Sequence, residues 1–460
     1  MSIPTKNKHC VIIGASIAGS LAAYALAPYF ESVKVIEQSP VLGQLRKGLG
    51  HGHQFHIYLI RGQRGLEKLI PGIFEEFNKQ QCPLIQIPND LFWITDFGPI
   101  NHPVTPLSQI HLMDRLMLER ILIDRLLKDR KNVSLELGES FRDFEWDDSE
   151  RRVTGVRCTR KGETLEHPAD LTVVCGGRGF DLDKLLHDKG ALLPPTRKVP
   201  ADFVYVSQRI YTEEKFPWSL RYKQCNPPHS YSGAVIAKVH NRGEYVFMVG
   251  GMKKHYPQAT AKGLRSFLSD FPDPVFLQVL ESSEVLVPPS IYRIDGSFHR
   301  PMGQTKNWPS GLIALGDAVC SFNPVYGQGL SVATMEVEAL ADMFEKKKYL
   351  KPAWEHRFQR KVDAIVREPW LLATGEDSRL YSKKDASWIA RFSGWYMQNY
   401  LRASTRNASM ALDFVKVSHL IKSPRSLLHP KHLLKVLASL PESRAQSPCS
   451  DLPSPSQEPT

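Results

Sequence analysis

Two glycine turns and two carboxylates carry the chemistry that this chain declares. The first turn reads Gly14-x-Ser16-x-x-Gly19, and Glu37 stands 23 positions after Gly14. A turn of that kind aims backbone N–H groups and a helix N-terminus at a pyrophosphate, and an acid at that distance accepts hydrogen bonds from a ribose. The motif describes a dinucleotide site and does not choose between nicotinamide and flavin. The second turn does. It reads "GDAVCSFNPVYGQG", residues 316 to 329. A carboxylate at a strand end, Asp317, can hold a polyol hydroxyl. Pro324, Gly327 and Gly329 before a helix let the backbone approach a planar ring closely. The helix dipole there favours negative charge, as on a reduced flavin. Together the two turns select FAD.

These residues need particular elements to hold them. Val11 to Phe30, "VIIGASIAGSLAAYALAPYF", is almost wholly apolar and follows Lys6 and Lys8. A secretory leader or a membrane anchor would look similar. The internal pattern argues otherwise: a short β-type run from Cys10 to Ile13 stops at Gly14, residues from Ile17 to Phe30 suit a helix, and "VKVIE" is a second strand ending in Glu37. Around the second turn, a strand ends at Gly316 and the helix "LSVATMEVEALADMF" follows Gly329. Both layouts are strand, turn and helix, so the class is α/β with a Rossmann-type domain. The chain has 460 residues, 42% apolar and 23% charged, as expected of a globular protein with a sizeable core. Its seven cysteines are scattered and form no C-x-x-C pair, which favours free thiols in the reducing cytoplasm over a disulfide framework.

"GDA" followed by "PVYGQGLSVA" resembles the second FAD fingerprint of the single-component flavoprotein monooxygenases related to para-hydroxybenzoate hydroxylase. Three segments, "LRKGLGHGHQFHIYLIRGQRGLEKLIPGI", "DLTVVCGGRGF" and "REPWLLATGEDSRL", are similar to a subgroup containing squalene-epoxidase-like and polyether-polyketide epoxidases. The resemblance runs roughly from His9 to Ala438. It implies that Gly14, Ser16 and Gly19 line the FAD pyrophosphate, that Glu37 takes the adenosine ribose and that Asp317 holds the ribityl chain. Pro324, Gly327 and Gly329 would border the isoalloxazine. Arg46 falls where the family places a cofactor-contacting arginine, and Arg115 resembles an arginine that reaches FAD from a helix. The single-residue alternative for both is a solvated surface charge.

Two departures from the family pattern matter. The hydroxylases carry an Asp-Gly pair in the middle motif, linked to both FAD and NAD(P)H; here the Asp position is Gly176, and the Ser that often follows is Phe180. The epoxidase-like subgroup also tends to lack the Asp. The change leaves the electron source open between NADH, NADPH and a partner reductase. "HGHQFH" brings His51, His53 and His56 together, but no carboxylate or Cys with ligand spacing accompanies them, so a loop beside the flavin is favoured over a metal site. Only His56, Arg61 and Gly62 match the subgroup's pattern.

The expected architecture is a discontinuous FAD domain over residues 1–80, 105–190 and 286–345. A β-rich substrate domain takes 81–104 and 191–285, a helical segment 346–440, and a Pro- and Ser-rich tail 441–460 is expected to be disordered. "DFVYVSQRIYT", "SGAVIAKVH" and "EYVFMVGGM" would form a sheet roofing the flavin, with Tyr205, Tyr245 and Phe247 as candidates for an apolar pocket. Residues 345 to 440 hold 19 Lys and Arg against 8 Asp and Glu. That balance suits anionic lipid, although a solvated helical face is the favoured reading. No nucleic-acid module is present. The resemblance implies transfer of one oxygen atom from O2, through a flavin C4a-hydroperoxide, to an apolar natural product, by epoxidation of an alkene or hydroxylation of an electron-rich ring. No catalytic side chain is nominated. A reductase of isoprenoid-like double bonds and a non-catalytic FAD-binding protein are the alternatives. A halogenase is less expected, because no W-x-W-x-I-P segment or comparably placed Lys is evident.

Overall fold

The computed structural model describes residues 7–44, 54–227, 229–381 and 388–440. The apolar opening stretch supplies the strand His9–Ile13 and the helix Ile17–Leu26. The strand is central in a five-stranded sheet ordered Leu312–Ala314, Leu171–Val174, His9–Ile13, Ser32–Glu37, Val133–Leu137. All four pairings are parallel. Parallel strands are covered on both faces, so they read as continuous apolar runs, and "CVII", "LTVV" and "LIA" do. Ile17–Leu26 packs against the helices Arg115–Asp129 and Gly329–Glu345. The strand ends and helix starts of both glycine turns therefore meet at one edge of this sheet. Three consecutive antiparallel strands, Ser140–Asp147, Arg152–Arg160 and Glu163–Pro168, form a separate small sheet.

An eight-stranded sheet makes the second layer. Its order is Cys320–Ser321, Glu284–His299, Arg197–Tyr211, Glu244–Met252, Ser232–His240, Leu220–Lys223, Leu91–Thr95, Gly98–Pro99. The three β-rich segments singled out in the sequence are neighbours at its centre. Alternation along Glu244–Met252 divides its side chains. Tyr245, Phe247 and Val249 pack with Leu264, Leu268 and Phe276 of two short helices, while Val246 and Met248 pack with Phe203 and Tyr205 on the other face. The C-terminal residues form the helices Trp354–Tyr381, Trp388–Ser404, Ala408–Ser418 and Pro430–Ala438. The tail 441–460 lies outside the described residues. No helix among the described residues is long and apolar enough to cross a membrane. The six described cysteines are free.

Candidate cofactor cleft and adjoining cavity

Gly14 sits at φ +100°, and a Cβ there would lie 2.5 Å from the Cys175 carbonyl oxygen, so only glycine turns the chain this tightly. The Gly14 amide donates to Ile36 O at 2.8 Å. Glu37 locks the same turn: its Oε2 accepts from Ala15 N at 3.1 Å and its Oε1 from Ser39 N at 2.9 Å. Gly19 lies in the first helix, where a Cβ would meet Gly14 O. Ser16 caps that helix with no bond to its backbone. Its Oγ instead accepts from Arg115 Nη2 at 2.8 Å.

Ser16, Arg115, Asp317, Pro324, Gly327 and Gly329 line one cleft of about 1060 Å³. Gly14, Gly19 and Glu37 form the turn behind its end. Arg46, His51 and His53 lie outside the described residues. His56 lines the cleft too; burial, with Arg115 near it, pushes its pKa down to about 4. Nδ1 lies 2.9 Å from Gln54 O and donates to it, a bond that opposes the downward shift without overcoming burial. Asp317 opens into the cleft and is exposed there, but it lies deep within the molecule. That desolvation raises its pKa, opposed by the charges of Arg115 and Arg178 and by a bond from Ser321.

Three features fit a flavin nucleotide. Gln54 Nε2 and Gln328 Oε1 are buried beside the cleft without a partner among the described residues, and a heteroaromatic edge would satisfy them. A Cβ on Gly329 would have nothing within 4 Å, so neither protein crowding nor a positive φ demands glycine there. What remains is the space in front of the backbone. Arg178 adds a cation from the "CGGRGF" segment, anchored by Nη2 to Gly296 O at 2.8 Å. Gln54, Arg178 and Gln328 all stand inside segments quoted above, but their place at the cleft is set by tertiary packing that the sequence does not announce.

Residues 54 to 59 partition the cleft from a second, apolar cavity of about 920 Å³. The segment alternates: Gln54 and His56 face the cleft, Phe55 and Leu59 the cavity, and Ile57 lines both. Pro324 is the other main shared wall. Tyr205 lines the cavity as anticipated. Tyr245 and Phe247 do not, because strand alternation turns Met248 and Gly250 to that side. Tyr326 lines it as well and donates to Asp377 Oδ1 at 2.8 Å. His419 Nδ1 accepts from Ile60 N at 3.2 Å, and burial lowers its pKa to about 4, leaving a neutral ring. Among the described residues no Lys, Arg, Asp or Glu lines this cavity. Arg61 and Gly62 do other work. Arg61 Nη1 pairs with Glu338 Oε2 at 2.6 Å, and a Cβ on Gly62 would lie 2.4 Å from Ser331 Oγ. Both dock the helix Ile60–Leu69 onto Gly329–Glu345.

The loop carrying Asp317 hangs on a buried acid. Glu336 Oε2 accepts from Gly316 N at 2.6 Å. Burial, opposed by that bond and reinforced by Asp317 and Asp363, raises the Glu336 pKa to about 8. A raised carboxyl contributes stability that is complete below its unfolded value and lost as pH rises to the folded value. The buried histidines act oppositely, but their contributions saturate once the unfolded imidazoles are neutral. From about pH 7.5 to 8.5, therefore, where unfolded imidazoles are nearly all neutral, thermal stability of the FAD-free protein should fall, and Glu336→Gln should flatten that slope. Melting curves across this range check it; an unchanged slope in the variant refutes it.

No protein-family model matches the chain. It is 24% identical over 342 residues to Protein Rv3254 of Mycobacterium tuberculosis, spanning 71% of each chain. Among solved structures it is similar to a flavoprotein/dehydrogenase from Cytophaga hutchinsonii, with TM-score 0.65, 14% identity and 89% and 92% of the two chains covered. It is also similar to the p-nitrophenol 4-monooxygenase PnpA from Pseudomonas putida, with TM-score 0.63, 14% identity and 91% and 99% covered. The flavin-dependent brominase Bmp2 gives TM-score 0.62, 15% identity and 90% and 94% covered.

Proposed function

We propose that this chain, which has the fold of the FAD-dependent flavoprotein monooxygenases and halogenases, is an FAD-dependent monooxygenase acting on an apolar substrate. The observation that carries the reading is the shared wall: Ile57 and Pro324 line both the polar cleft and the apolar cavity. A ring bound against Pro324 to Gly329 would be presented to whatever fills the cavity. Ser16, Arg115 and the first helix N-terminus suit the pyrophosphate, and Asp317 suits the ribityl chain. Bound FAD would supply the activation of O2 and the transfer of one oxygen atom. The protein supplies orientation and exclusion of water: Phe55, Leu59, Trp93, Phe203 and Met248 offer no charge to the substrate. An alkene or an uncharged electron-rich ring fits such walls. No lysine lines the cavity among the described residues, so nothing there favours halogenation.

The nicotinamide donor, or a partner reductase in its place, belongs to this proposal. The discontinuous FAD unit, the sheet domain and the helical segment are its working parts, and the cytoplasm its compartment. The test supplies the FAD-loaded protein with reductant, 18O2 and candidate isoprenoid and polyketide alkenes. The expected result is O2 uptake matched by product carrying one 18O atom. Double-bond reduction without O2 uptake would replace the reading by a reductase, and FAD binding without turnover of any kind by a non-catalytic protein.

A further inference from the structure

We propose that the C-terminal helices dock this protein on the surface of an anionic lipid bilayer. Single exposed apolar side chains are ordinary on proteins. Here they share faces. Trp388, Phe392 and Trp395 stand at i, i+4 and i+7 of one helix and are 76%, 49% and 41% exposed. The Phe392 ring lies 5.8 Å from that of Trp395. On Pro430–Ala438, Leu433, Leu434 and Leu437 are exposed on one side, and Lys431 and Lys435 on another. The inward faces of the two helices are already used. Tyr396, Tyr400 and Ala403 pack with Leu427 and Val436 in one buried cluster. The outward apolar faces are therefore surplus to the fold.

Charge selects the occupant. Residues 388 to 440 contain eight Lys and Arg and a single acid, Asp413. That acid is already paired with Lys416, Lys422 and His432. Trp, Phe and Leu beside lysines and arginines are what an interfacial helix needs: aromatic rings and leucines sink to the headgroup level while the cations meet anionic lipid. A second copy of this chain would bring two like-charged faces together, which disfavours self-association through this surface.

The surface is also tied to the cavity. Gln398 of the helix Trp388–Ser404 accepts from Asn226 Nδ2 at 3.1 Å, and the adjacent Cys225 lines the cavity. Ser404 O is 2.7 Å from His102 Nε2. Ser418 and His419, at the C-terminal end of the next helix, form part of the cavity wall itself. Docking would hold the apolar cavity beside the phase in which an apolar substrate dissolves. That last clause rests on the proposed function; the docking does not.

The test is co-sedimentation of the full FAD-loaded protein with phosphatidylcholine vesicles, with and without phosphatidylglycerol, at low and high salt. The expected result is binding that requires phosphatidylglycerol, weakens with salt because surface charges are screened, and shifts tryptophan emission to the blue. Replacing Trp388, Phe392 and Trp395 together by Ser should lower the partition coefficient by about tenfold or more, with melting temperature and FAD content unchanged. Lys431→Glu with Lys435→Glu should remove much of the salt-sensitive part. Absence of vesicle binding at low salt overturns the proposal, as does binding that the triple serine variant leaves intact. A dimer in sedimentation velocity that the triple variant dissociates would assign the face to a second copy instead. Preference for a single-stranded RNA probe over vesicles would also overturn it. A protein that binds vesicles but oxygenates nothing would fail the proposed function and leave docking in place.

Discussion

Gly329→Leu should leave the chain folded and strip it of FAD. Gly329 begins the helix Gly329–Glu345, and a Cβ built on it meets no atom within 4 Å. Glycine in a helix is about 0.5–1 kcal/mol less favourable than alanine, so the FAD-free variant should melt at or above the wild-type temperature. The new side chain would instead fill the space in front of the backbone, where the proposed function puts the ring. A loss of about two orders of magnitude in FAD affinity, roughly 2.8 kcal/mol at 1.4 kcal/mol per tenfold, is the expected result. Titration of the FAD-free proteins by flavin fluorescence, alongside their melting curves, measures both halves. Asp317→Ala is a companion at the other end of the cleft, where lost hydroxyl contacts should also lower occupancy. A Gly329→Leu protein that binds FAD like the parent would move the ring away from this turn and remove the basis for the shared wall. Gly327 could not serve in this test, because a Cβ there would lie 2.2 Å from Ile57 Cγ2 and misfolding would confuse the readout.

The parts of this site that sequence alone announces are those made by short-range geometry. Gly14 and Glu37 face one another across two adjacent parallel strands and one turn, so their spacing is fixed by the strand–helix–strand unit. Asp317, Pro324, Gly327 and Gly329 fall within one short stretch between a strand end and a helix start, so their proximity is local too. What stays hidden depends on which face a segment presents and on pairing across long separations. Past the half-buried Glu244 every residue of "EYVFMVGGM" is buried, so nothing in the apolar string tells that Met248 and Gly250, rather than Tyr245 and Phe247, face the cavity. Gln54 and His56 reach the polar cleft only because the segment 54–59 is wedged between it and the apolar cavity. The strand Glu284–His299 runs across position 286, where the sequence suggests a new segment, and contains Pro288 and Pro289. Prolines cannot donate to a ladder. They are accommodated because the pairing slips between Ser207 and Arg209, opposite those two residues, so no ladder bond is asked of them there.

Flavin reduction by nicotinamide alone should be slow. In the hydroxylases that the sequence resembles, an Asp in the middle motif serves both FAD and NAD(P)H; here that position is Gly176, and the structure explains why it cannot simply be restored. A Cβ on Gly176 would lie 2.4 Å from Phe180 Cδ2, and the Phe180 ring is held by Phe141 at 5.0 Å between centroids. The missing carboxylate and the aromatic at 180 are therefore one linked change. Arg178, between them in sequence, is committed to Gly296 O and lies near Asp317, so it is a cation without the usual acidic neighbour in its own motif. Anaerobic mixing of the FAD-loaded protein with excess NADPH or NADH should bleach the flavin well below the ordinary catalytic range of about 1–10³ s⁻¹. Substrate, a flavin reductase or a ferredoxin-type partner should raise the rate about tenfold or more. Gly176→Asp alone should destabilise the fold through the clash with Phe180, whereas Gly176→Asp combined with Phe180→Ser should fold and be reduced faster than the parent. Bleaching of the parent protein at ordinary catalytic rates, with no substrate or partner present, would mean that the backbone from Gly176 to Gly179 replaces the carboxylate. The double variant would then gain nothing.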